Sequence, residues 1–194
     1  MEEKFSPEQS LELIQSMIRK TRQTMSDKSI YFLVWGWLTL IGCTGQFILK
    51  HILAYEKHYL VWLITFFGFA FTVYQGQKDE KNRKVLTYVD DSIKHLWAGM
   101  VISFFLLIVI LSRQGWGTNV FPYFIMLYGL GTFVSGRMLR FRPLAAGGVI
   151  AWALAIAATF ASYDYQMLFA AAAILFSYII PAYLLRKRKR QEHS

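Results

Sequence analysis

Six apolar stretches, each about as long as a bilayer is thick, govern what this chain can fold into. They lie at roughly 30–49, 59–75, 96–112, 120–136, 144–161 and 165–185. None carries Asp, Glu, Lys, Arg or His in its central part. A surface helix of a soluble protein keeps a polar stripe, whereas these stretches are apolar all round. In hydrocarbon each segment must satisfy its own backbone N–H and C=O groups, which selects helix. The predicted fold class is therefore all-α, a polytopic membrane protein with six transmembrane helices. Composition agrees: 55% of the 194 residues are hydrophobic and only 17% are charged, against about 25% charged in soluble domains.

The basic residues give the orientation. Of the 21 Lys and Arg residues, 18 fall in alternate gaps: before the first span, between the second and third, between the fourth and fifth, and after the sixth. The intervening gaps hold only Lys50, Lys57 and Arg113. By the positive-inside rule both termini are predicted to be cytoplasmic, an N-in/C-in arrangement. Tyr55, Tyr59, Trp62, Trp116, Tyr123, Tyr163 and Tyr165 then mark the outer boundary, and Tyr31, Tyr74, Trp97 and Tyr183 the inner one. The acidic start Met1-Glu2-Glu3-Lys4 is unlike a cleavable signal peptide, so the first span is expected to direct insertion. The net charge of +9 flanks apolar spans, where an anionic membrane surface explains it. No nucleic-acid-binding signature accompanies it, and no nucleic-acid partner is expected.

The chain divides into residues 1–29, a transmembrane domain over 30–185 with a cytoplasmic helical linker at 77–95, and a basic tail over 186–194. Ser6-Pro7-Glu8-Gln9 reads as a capping box. Leu11, Ile14, Ile18 and Met25 then share one helical face, predicting an amphipathic cytoplasmic helix over roughly 7–25. In the linker, Val85, Val89, Ile93 and Leu96 repeat the pattern. These helices either rest on the membrane and each other or form a docking face for a protein partner, with Leu11, Ile14, Ile18 and Met25 as its candidate residues. The tail run Arg186-Lys187-Arg188-Lys189-Arg190 reads as an anchor that attracts anionic lipid.

Pro7, Pro122 and Pro143 fall at helix starts, where a missing N–H is tolerated. Pro181 lies inside the sixth span and is expected to kink it. Small residues form a ridge on the fifth span, Gly147, Ala151 and Ala155, and a shorter one on the sixth, Ala173 and Ser177. Such ridges let membrane helices approach closely. They predict packing of these two spans against each other, with a homodimer face as the alternative use.

Chemistry is sparse. The lone Cys43 lies within the first span, which excludes a disulfide framework. His51, Glu56, His58 and Asp164 occupy outer loops at no recognisable metal spacing. His95, with Asp90 and Asp91, is interfacial. No Ser-His-Asp set, HExxH or phosphate loop occurs, so no enzyme, cofactor or metal is expected. Thr39, Gln46, Thr132 and Ser135 are the candidate polar residues for a solute path. Trp35-Gly36-Trp37-Leu38-Thr39 and Tyr128-Gly129-Leu130-Gly131-Thr132 share an aromatic-Gly-x-x-Thr pattern on spans of opposite direction. That fits either chance or an inverted 3+3 repeat of the kind many transporters have.

The SPEQSLELIQSMI helix, the YFLVWGWLTLIG span, the LYGLGTFVSGRMLRFRPLAAGG stretch and the final SYIIPAYLLRKRKR resemble a group of small six-helix bacterial inner-membrane proteins. The resemblance covers the whole chain. That group has no established activity, so it implies topology and a bacterial inner membrane but no catalytic residues. Two functions remain as expectations. One is a non-enzymatic membrane protein acting through protein or lipid contacts of its cytoplasmic face. The other is a small-solute transporter or channel.

Overall fold

The computed structural model describes residues 29–82, 88–114 and 119–191. Among them all regular structure is helical and no strand occurs. Helix α1 covers Ser29–Ile52. A 3₁₀ stretch, His58–Ile64, leads into α2 (Thr65–Asn82). Then come α3 (Tyr88–Gln114), α4 (Val120–Met138) and α5 (Arg142–Ala158). Helix α6 opens at Tyr163–Ile174 and continues through a π-turn, Leu175–Ile179, into Ile180–Gln191.

Four helical stretches are long and apolar enough to cross a membrane: Ser29–Ile52, His58–Asp79, Asp91–Gln114 and Tyr163–Lys187. The other two stretches differ for physical reasons. Helix α4 is 19 residues long, but Pro122, three glycines, two tyrosines, Thr132, Ser135 and Arg137 dilute its hydropathy. Helix α5 has 17 residues, or about 26 Å of rise against about 30 Å of hydrocarbon. Backbone bonds from Thr159 to Ile156, Phe160 to Ala157 and Ala161 to Ala158 lengthen it by tighter turns.

Successive helices run antiparallel. At one end, Tyr31 of α1 meets Asp79 of α2, and Phe32 and Leu33 share a buried cluster with Ile93, Leu139, Phe141, Leu144 and Leu185. This is the tail end, where α6 finishes. At the far end, Cys43 clusters with Phe121, Ile125, Ala155, Ala158 and Met167. Helices α1 and α6 are central, with 39% and 56% of their most apolar stretch buried; for α2 and α3 the figures are 6% and 11%. The second and third helices therefore lie against the rest and expose most of their surface.

Glycines set the closest approaches. A Cβ on Gly36 of α1 would lie 2.9 Å from Ile179 Cγ1 of α6. One on Gly148 of α5 would lie 2.7 Å from the Phe133 backbone nitrogen of α4. One on Gly136 of α4 would overlap the Ala145 nitrogen and lie 2.8 Å from Ala145 Cα. A π-turn precedes Pro181. With no N–H at Pro181 to bond back to Ser177, the helix widens over Leu175–Ile179, and Ile180 N–H bonds Leu175 O.

Candidate functional site, a polar seam along helix α1

One face of α1 advances in alternating steps of three and four: Ser29, Phe32, Gly36, Thr39, Cys43, Gln46 and Lys50. This 3.5-residue period keeps a single stripe turned inward over the helix length. All but Lys50 are buried. The stripe is small or polar where a membrane core is usually aliphatic, so each polar member needs a partner.

At the tail end Arg186 Nε donates to Ser29 Oγ at 3.4 Å. The Tyr31 hydroxyl donates to Asp79 Oδ2 at 2.7 Å, while Gln75 Nε2 donates to Asp79 Oδ1 at 2.9 Å. Trp35 Nε1 donates to Thr72 Oγ1 at 3.0 Å and fixes α2 to α1.

In the middle, the Tyr128 hydroxyl of α4 meets Thr39. Thr132 Oγ1 donates to Tyr128 O at 2.7 Å, and Trp97 Nε1 of α3 donates to Ser135 Oγ at 3.2 Å. Tyr178 of α6 stands edge-on to Phe32, Trp97 and Tyr128, with ring centroids 5.4, 6.0 and 5.5 Å away. Its buried hydroxyl faces Thr132 without reaching full hydrogen-bond geometry.

At the far end Gln46 is a hub. Trp62 Nε1 donates to Gln46 Oε1 at 2.6 Å. An indole N–H only donates, so the amide orientation is fixed and Gln46 Nε2 is the donor toward His58 Nδ1, 3.1 Å away. His58 is thereby assigned as the neutral Nε2–H tautomer. Tyr163 of α6 lies beside Gln46. One turn on, Lys50 Nζ lies 2.6 Å from Asp164 Oδ1, an oxygen otherwise shielded from solvent. The same ammonium sits 4.0 Å from the Tyr163 ring centroid, and His51 Nδ1 is 3.4 Å from Asp164 Oδ2. The network ties α1, the start of α2 and the start of α6 together.

The four candidate polar span residues thus lie on or beside one seam, each engaged within the protein. Thr39, Gln46, Thr132 and Ser135 are 4%, 3%, 0% and 0% exposed. The small-residue ridges face other helices. Gly147 lies against Ser177, where an added Cβ would be 2.7 Å from its Cα, and Ala151, Ala155 and Ala173 are buried. Leu11, Ile14, Ile18 and Met25 fall outside the described residues. His95 is exposed and, among the described residues, pairs with Asp91 of its own helix. Glu56 is exposed and joins none of the contacts described above. Among the described residues no three His, Cys, Asp or Glu side chains gather as a metal site.

Two features escaped the sequence. Gln166 is fully buried at the start of α6, donating to Asn119 Oδ1 at 2.9 Å and Ala161 O at 3.1 Å. Asp164 pairs with Lys50 rather than standing in solvent. The 3.5-residue phase shared by Thr39, Cys43, Gln46 and Lys50 was the available signal. Compared with protein-family models, curated proteins and solved structures, the chain matches none.

Proposed function

We propose that this chain is a non-enzymatic, six-span protein of a bacterial cytoplasmic membrane with both termini in the cytoplasm. It acts through protein or lipid contacts of its cytoplasmic face, in regulation or assembly. The observation that carries this reading is the internal pairing of the seam. Polar span residues already bonded to other groups of the protein act as glue between helices, and the basic tail end is the exposed surface open to partners. The alternative is a small-solute transporter or channel, in which Thr39, Gln46, Thr132 and Ser135 would exchange these partners for solute.

Two experiments test the proposal. In a Cys43→Ser background, Glu56→Cys will react with a membrane-impermeant maleimide in intact cells, and Lys187→Cys only after permeabilisation. The reverse pattern would overturn the orientation. Crosslinking from native membranes will capture a protein adduct that disappears when residues 7–25 are deleted, or lipid adducts on the basic face. Solute flux in reconstituted vesicles, abolished by Thr132→Val, would replace this reading with the transporter.

A further inference from the structure

The turn between α4 and α5 carries Arg137, Arg140 and Arg142 within six residues, all exposed. The turn is rigid. Phe141 N–H bonds Gly136 O at 2.9 Å and Arg140 N–H bonds Arg137 O at 3.2 Å, the paired bonds of a Schellman cap. Leu139, Phe141 and Leu144 are buried, 2%, 5% and 2% exposed, so the backbone between the arginines is clamped to the core. Arg140 occupies the left-handed position of this cap with φ 52°. Glycine takes that position without penalty, whereas an arginine there is strained.

The electrostatics are one-sided. Helix α5 begins at Arg142 with no side-chain cap and no acidic residue in its first turn, which adds the positive end of its dipole. Among the described residues none of the three arginines pairs with a carboxylate. The turn lies at the tail end, beside the helix termini that bear Ser29 and Arg186. Three guanidinium groups carried on a rigid turn at the edge of a membrane bundle complement a phosphate at the bilayer surface.

We infer that the α4–α5 turn is a binding site for the phosphate headgroup of an anionic phospholipid, held by Arg137, Arg140 and Arg142. This deepens the reading of a cytoplasmic contact face and rests on it by naming one partner. Arg140 is the informative residue, because folding and binding make opposite demands on it. Removing the strained side chain relaxes the turn but takes away a ligand.

The test uses the full chain in phosphatidylcholine vesicles with and without phosphatidylglycerol, following thermal unfolding. Wild type should gain several degrees in Tm from phosphatidylglycerol. Arg140→Gly should unfold higher than wild type in phosphatidylcholine alone, by roughly 2–4 °C, yet lose at least half of the phosphatidylglycerol increment. The triple variant Arg137→Gln, Arg140→Gly, Arg142→Gln should lose nearly all of it, while Lys187→Gln with Lys189→Gln should keep most. Excess inorganic phosphate in phosphatidylcholine vesicles should leave Tm unmoved. An increment that persists in the triple variant, follows the tail lysines or is reproduced by free phosphate overturns the site. Crosslinked protein adducts would be unaffected by that outcome, so failure of the lipid site is separable from failure of the contact-face reading.

Discussion

Gly136→Ala will destabilise the bundle by about 1–3 kcal/mol, the range seen when a well-packed core is overfilled. The new methyl meets the Ala145 nitrogen and Cα and the Leu144 carbonyl carbon, at 2.8 and 2.9 Å for the two carbons. These are backbone atoms, so no rotamer change relieves the overlap and α4 must separate from α5. Unfolding of the purified chain in detergent, followed by circular dichroism, measures the loss. Gly99→Ala provides the contrast. A Cβ there meets nothing within 4 Å, and alanine gains up to about 1 kcal/mol in helix propensity over glycine. Equal losses in the two variants would refute packing as the role of Gly136.

Gln46→Leu will cost about 2 kcal/mol and loosen the start of α2. It strands Trp62 Nε1 and His58 Nδ1 together. A buried polar atom left without its partner costs about 1–3 kcal/mol. Each of the two atoms costs near the low end of that range, because His58 and Trp62 are only partly buried and water can replace some bonds. The 3₁₀ stretch His58–Ile64 contains no buried residue of its own, and besides the hub it is held by Trp62 and Val61 packing on Gly42 and Gly45 of α1. Protease sensitivity at this segment should rise in Gln46→Leu. The double variant with Trp62→Phe should lose less than the sum of the two single changes, since they share one bond. Strict additivity would show that the hub does not act as a unit.

The all-helical architecture was legible because it rests on local information. Runs such as Val101–Leu111 leave the backbone no alternative to helix in an apolar setting. The small residues Gly147, Ala151 and Ala155 could be read as a contact ridge, since a helical period is also local. What could not be read was the partner of each group. Lys50 and Asp164 are 114 positions apart, and neither has a local pattern pointing to the other. Thr39, Gln46, Thr132 and Ser135 stood out as polar residues in spans, but whether they line a path or bond one another depends on helix rotation. The tight α4–α5 crossing depends on Gly129, Gly136 and Gly148; Gly129 stood out only within the aromatic-Gly-x-x-Thr pattern, and none of the three was marked as a contact between these two helices.

The central place of α1 has a consequence for how the chain is made. Its stripe is completed by the last helix: Gly36 rests on Ile179 and Tyr178, Ser29 on Arg186, and Lys50 on Asp164. Helix α1 therefore waits for α6 before its inward face is fully covered. Until then Ser29, Gly36 and Lys50 lack these partners. A chain that stops before α6 leaves those three positions of the α1 stripe uncovered.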